Sequence, residues 1–302
     1  MVIGWTPLRY EGMVNSGTIV QATFQHINVP FWTLAIEGQF YLLLPFIARG
    51  MHVLISLTCC IVRRRFIGAI IACIGIIVVG LLIRFAGKQF MQEEVTTSIG
   101  LQVIRALFFG VEGKFWEDFA LGMLVSLCFA YAQHPEEGER FYRGLRRASP
   151  FLSVVAVVLL TFCALWNFRV SYPVATLQYM VPLVPFAPWL LSFIVSLGWS
   201  LLLLVLLFGN APLRMAFEWR PLRALGTISY GVYLWHFPLL TIFKKYVFPH
   251  FGVTNTMLSY LLYWGFFALL IVPWSTLVYL LIERPFIRMK QRRRREDIGT
   301  QG

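Results

Sequence analysis

The chain has 302 residues, of which 58% are hydrophobic and only 13% charged, whereas an ordinary soluble domain is about 25% charged. With a mean hydropathy of +0.71, this excludes a water-soluble globular fold and predicts an all-α polytopic membrane protein. The net charge of +12 does not point to nucleic acid, because the basic residues fall between apolar runs, where they act as topology determinants.

No long polar or low-complexity stretch divides the chain, so one membrane domain is expected over residues 1–290, followed by a basic tail at 291–302. The five cysteines, Cys59, Cys60, Cys73, Cys128 and Cys163, lie in or beside apolar runs and show no CxxC or paired-histidine spacing. Neither a disulfide framework nor a metal site is indicated. The N-terminal segment has no basic region followed by an apolar core, so it does not read as a cleavable signal.

Apolar runs long enough to cross a bilayer occur at 31–60, 66–83, 115–133, 151–168, 189–208, 224–243 and 256–282. Seven transmembrane helices are therefore expected. The first run is long and contains Pro45 and Gly50, which predicts a kink or break there.

Seventeen of the basic residues fall in one alternating set: Arg63 to Arg65, the group from Arg140 to Arg147, the group from Arg214 to Arg223, and the tail from Arg284 onward. The opposite loops, 84–114, 169–188 and 244–255, hold seven. By the positive-inside rule the C-terminus is cytoplasmic and residues 1–30 lie outside. Such a start fits a protein lacking an odd number of preceding helices.

Ionisable side chains within the membrane are costly and so are candidate functional residues. Glu37 lies in the first run, with Thr33 and Tyr41 one turn to either side. His236 lies in the sixth, with Tyr233 at i−3 and Ser229 and Tyr230 about two turns back. At 1.5 Å per residue these two groups sit about 9 Å and about 10 Å below the outer boundary, so they can meet at one depth. A carboxylate and an imidazole in a shielded pocket can share a proton, as general acid/base chemistry requires. The same spacing suits a helix-packing hydrogen bond.

Glu117 and Asp118 open the third run, where a carboxylate suits a helix N-terminus or a substrate contact. Arg105 lies in an apolar stretch too short to span. Glu283, Arg284 and Pro285 read as an interfacial ion pair with a helix stop. Arg292 to Arg295 suit anionic headgroups.

Three segments, NVPFWTLAIEGQFYLLLP at 28–45, PLRALGTISYGVYLWHFPL at 221–239 and LIERPF at 281–286, together resemble the acyltransferase 3 family of membrane proteins. In that family a W-[ST]-L-x-x-E-x-Q-F-Y-L-L-x-P helix, an L-G-x-[IV]-S-Y-x-x-Y-L-x-H-x-P helix and a terminal E-[RK]-P-[FW] recur in this order. The resemblance implies transfer of an acetyl or other short acyl group from acyl-coenzyme A (acyl-CoA) to hydroxyls of a sugar, glycolipid or cell-surface polysaccharide, in a bacterial inner membrane. It implies partners in the lipid bilayer, acyl-CoA and a carbohydrate acceptor, with no nucleic acid and no bound cofactor or metal.

Carried over residue by residue, the resemblance makes Glu37 and His236 catalytic and Trp32, Gln39, Tyr41, Ser229 and Tyr233 substrate-binding. Two departures stand out. Position 38 is Gly, where relatives often carry a larger or acidic residue. The family's first helix, with a basic residue and its usual catalytic histidine, has no counterpart, so about three helices are expected to be lacking and the chain alone to have little activity. His26 and His236 are the available substitutes. The rival readings are a transporter or flippase of a lipid-linked saccharide, and an inactive scaffold derived from the enzyme family.

Overall fold

The computed structural model describes residues 31–58, 61–92, 115–135, 137–172, 175–209, 214–215, 217–252 and 255–289. His26, Cys59, Cys60, Arg105, the Trp32 side chain and the tail from 290 onward lie outside the described residues. Among the described residues the chain is helical throughout. Four helices among the described residues are long and apolar enough to cross a membrane: Val62–Ala86, Gly138–Ser171, Thr176–Phe208 and Met257–Met289.

The chain divides into two compact units, Ala35–Ala216 and Met1–Leu34 with Phe217–Gly302. In the first unit lie helix α1 (Phe31–Thr58) from Ala35 onward, α2 over Val62–Gln92, α3 over Trp116–Ala132, α4 over Gly138–Ser171 and α5 over Ala187–Phe208, the last preceded by a 3-10 segment at Ala175–Phe186. Helices α2 and α3 are antiparallel, as are α4 and α5, because ring contacts join the start of each pair to its finish. Phe66 stacks on Tyr131 at 4.0 Å and Tyr142 meets Phe208 at 5.7 Å.

Two apolar clusters hold this unit together. Trp166 is buried with Leu177, Met180 and Ala187, and its indole Nε1 donates to the Leu183 carbonyl at 3.1 Å. Ile77, Ala120 and Leu121 form the other, packed by Phe193 and Leu197. Gly198 lets α5 lie close to α4, since a Cβ there would lie 2.9 Å from the Leu160 side chain. Outward-facing apolar residues such as Ile71 at 63%, Phe151 at 71% and Val154 at 61% exposure present a surface suited to lipid tails rather than water.

Several boundaries differ from those the hydropathy predicts. Helix α1 does not break at Pro45 but runs through it; the proline removes one backbone bond, to the carbonyl four residues earlier, while the rest of the ladder continues. Arg63 to Arg65 belong to the first turn of α2, and α4 begins at Gly138, well before the expected residue 151, carrying Arg140 to Arg147 within it. Arginine is a good helix former, and its long stem lets the charge reach water while the backbone stays helical. Likewise Pro285 does not stop the last helix, which continues to Met289.

In the second unit, α6 covers Arg220–Ile242 and passes into a π-helical segment at Phe243–Val247 and a 3-10 turn at Phe248–Phe251. Helix α7, Thr256–Phe266, starts on an Asn255 cap whose side chain accepts from the Met257 amide at 2.8 Å. It continues through a π-helical segment at Phe267–Ile271 into α8, Val272–Val278, and a further π-helical segment at Tyr279–Glu283. Gly231 of α6 abuts Ser275 of α8, Trp235 meets Trp274 edge to face at 5.6 Å, and Phe243 stacks on Phe266 at 4.2 Å.

Candidate functional site

Glu37 and His236 belong to different units, so each is placed within its own. In α1, Phe40 is buried and stacks on Phe119 of α3 at 4.0 Å. Glu37, one turn earlier, is half-buried at the margin of that contact, whereas Gln39 is exposed and Tyr41 is 61% exposed. The expected face of Glu37 and Tyr41 therefore flanks the packed edge of α1 rather than lying inside it.

His236 has a defined local setting on α6. Its Nδ1 lies 2.7 Å from the Tyr233 carbonyl and 3.2 Å from that of Val232. A carbonyl oxygen only accepts, so Nδ1 must carry the proton, which in the neutral ring leaves the lone pair on Nε2. The Tyr233 ring lies 5.9 Å from the imidazole. Ser229 is exposed and its hydroxyl donates to the Gly226 carbonyl at 2.8 Å. Ser229, Tyr233 and His236 thus form the polar stripe expected from their spacing, with Tyr233 also supplying the backbone oxygen that sets the ring's tautomer.

Among the described residues, Glu117 and Asp118 form a charged cluster with Arg84 that was not foreseen from the sequence. Arg84 of α2 and Glu117 of α3 are 1% and 0% exposed, with Nη2 and Oε1 2.7 Å apart. Asp118 Oδ2 lies 3.8 Å from the same Nη2 and accepts from Ser192 Oγ of α5 at 3.3 Å. Arg84 Nη1 donates to the Trp189 carbonyl at 3.4 Å. The Phe115 ring lies 4.5 Å from the guanidinium carbon, and Phe115 itself has a φ of 55°, a left-handed conformation that is costly for a residue with a side chain. A Cβ at Gly80 would stand 2.6 Å from Glu117 Oε2, so glycine admits the carboxylate against α2.

Glu117 and Asp118 stand in the first turn of α3, where their charge suits the helix N-terminus. Phe115 occupies the cap position with no side-chain capping bond, and the two carboxylates also face Arg84. A signal was present in the sequence: a basic residue ends one apolar run and an acidic pair opens the next, on the same side of the membrane. The cluster joins α2, α3 and α5 and can hold three helix ends in register, but it presents no exposed nucleophile or base.

A model of the acyltransferase domain that defines the acyltransferase 3 family matches residues 1–280. The chain belongs to the acyltransferase 3 family. Among curated relatives in this family, it is 25% identical over 212 residues to the protein provisionally named peptidoglycan O-acetyltransferase YrhL of Bacillus subtilis (strain 168), an alignment covering 70% of this chain. The chain spans 28% of the length of that relative. No solved structure matches significantly.

Proposed function

We propose that this chain is the membrane-embedded part of an O-acyltransferase that moves an acetyl or other short acyl group from acyl-CoA to a sugar hydroxyl of a cell-surface polysaccharide or glycolipid. The family match over residues 1–280 carries this reading, and the name of the Bacillus relative favours a peptidoglycan-like acceptor. Seven spans, a cytoplasmic C-terminus and a bacterial inner membrane complete the proposal, supported by the apolar runs and the alternating arginines.

In this reading His236 accepts the proton of the acceptor hydroxyl at Nε2. The hydroxyl oxygen bonds to the thioester carbonyl carbon, the carbon–sulfur bond breaks, and the proton passes to the departing thiolate. Donation from Nδ1 to the Tyr233 carbonyl supports this role because it leaves Nε2 as the acceptor. Glu37 is assigned as a second acid/base group of the proposed reaction. Trp32, Gln39, Tyr41, Ser229 and Tyr233 are assigned to contacts with the acceptor.

Membranes containing the chain, supplied with acetyl-labelled CoA and a panel of glycans including peptidoglycan fragments, test the proposal. Labelled ester should form only slowly, in keeping with the little activity expected of the chain alone, and His236→Gln and Glu37→Gln should each lower that rate further. Label transfer indifferent to both substitutions would remove these residues from the mechanism. Movement of a lipid-linked saccharide without acylation would replace the enzyme by a transporter.

A further inference from the structure

The second charged region of the first unit lies at the end opposite Arg84. There Phe66 near the start of α2, Tyr131 near the finish of α3 and Phe141 near the start of α4 meet, with ring centroids 4.0 to 5.4 Å apart. Just before Phe66 lie Arg63 and Arg64, and around Phe141 lie Arg140 and Arg147; all four are exposed. None of the four has an acidic partner among the described residues. Of the nearby acids, Tyr131 donates to Glu137, and Glu139 lies 3.7 Å from Arg143.

Two helices also begin here, α2 at Val62 and α4 at Gly138. Their first-turn N–H groups have no partner within their own helices, and their dipoles add positive potential. The positive-inside tendency explains arginines near span ends. It does not require them to gather from two helices around one aromatic joint, which holds the two helix starts together. Exposed arginines carried at one end of two joined helices, without acidic partners among the described residues, suit phosphate oxygens, to which arginine donates through a planar fork.

From this arrangement we infer that Arg63, Arg64, Arg140 and Arg147 form a docking surface for the phosphate groups of the acyl donor. The inference rests on the proposed use of acyl-CoA and assigns its 3′-phosphate and diphosphate to this end of α2 and α4. Phospholipid headgroups offer the same chemistry, so the test must separate the two sources.

Full-length protein in nanodiscs of phosphatidylcholine, which carries no net charge, is titrated with CoA and with dephospho-CoA by equilibrium dialysis. The wild type should bind CoA more tightly than dephospho-CoA, and added salt should weaken both. In the R63Q/R64Q/R140Q/R147Q variant, CoA affinity should fall about ten-fold or more and the preference over dephospho-CoA should vanish. The corresponding lysine variant, which keeps the charge, should retain most of the affinity. If the quadruple variant fails to fold, the R63Q/R64Q and R140Q/R147Q pairs are measured separately, and each should show a smaller loss.

Equal CoA binding by wild type and variant would overturn the docking surface while leaving the proposed reaction intact. The same holds if the variant loses only its attachment to phosphatidylglycerol vesicles, since the arginines then serve the lipid. Absence of any CoA binding by the wild type would overturn the donor assignment and the docking surface together.

Discussion

Helix α2 carries arginine at its start and again near its C-terminal third, and the two levels treat it in opposite ways. Arg84 is almost completely buried, ion-paired with Glu117 and covered by the Phe115 ring. Arg63 and Arg64, about 30 Å away along the helix axis at 1.5 Å per residue, stand exposed. That separation is close to the thickness of a bilayer's hydrocarbon core, about 30 Å. The same side chain thus serves as an internal tie at one level and as a surface charge at the other, and its neighbours make the difference. At the Arg84 end, glycine at position 80 and a pair of carboxylates make room for a guanidinium and neutralise it. At the other end three aromatic rings fill the interior and leave the charges outside.

The sharpest way to break this contrast is to remove the buried arginine alone. Arg84→Met strands Glu117 as an uncompensated buried charge, and unfolding of the purified protein in mixed micelles should show a loss of about 3–5 kcal/mol. Adding Glu117→Leu should recover much of it, because an apolar pair can replace a buried ion pair at little net cost. A loss no larger than that of an exposed arginine would mean that the pair is not a tie.

Gly80→Val should destabilise by about 1–3 kcal/mol by pushing a side chain into the Glu117 carboxylate, seen as a lower melting temperature by differential scanning fluorimetry. Ser192→Ala removes one hydroxyl from Asp118 and should cost about 1 kcal/mol, measurable as a small shift in the same melting curve. Arg64→Gln, at the exposed end, should leave the melting temperature unchanged within error. A clear drop there would make the two ends alike.

Helical class was legible in the sequence because a long apolar run has few alternatives once it must satisfy its own backbone in lipid, while of the seven expected spans four appear among the described residues as helices long and apolar enough to cross. Helix boundaries were less so. Arg140 to Arg147 look like a loop in a hydropathy count, yet the backbone of α4 continues through them. The polar stripe of Ser229, Tyr233 and His236 followed from its spacing, although the direction of the His236 proton needed the Tyr233 carbonyl's position. The ionic cluster was missed for a specific reason. Arg84 sits at the last turn of an apolar run, where an interfacial reading is always available, and no residue count shows that Gly80 opens space for Glu117 to reach it. Charge signs alone could have suggested the partnership, but burial could not be read without the packing of α5 against both helices.

The Arg84–Glu117 tie also bears on how the protein is built. A membrane-spanning helix with a lone arginine carries a penalty that at a helix centre is about 2.5–3.5 kcal/mol. Arg84 is such a group on α2, a helix long and apolar enough to cross a membrane, and Glu117 of α3 supplies its counter-charge. Helix α2 is in this sense an unfinished segment until α3 has been synthesised, and the order of the chain delivers its counter-charge next.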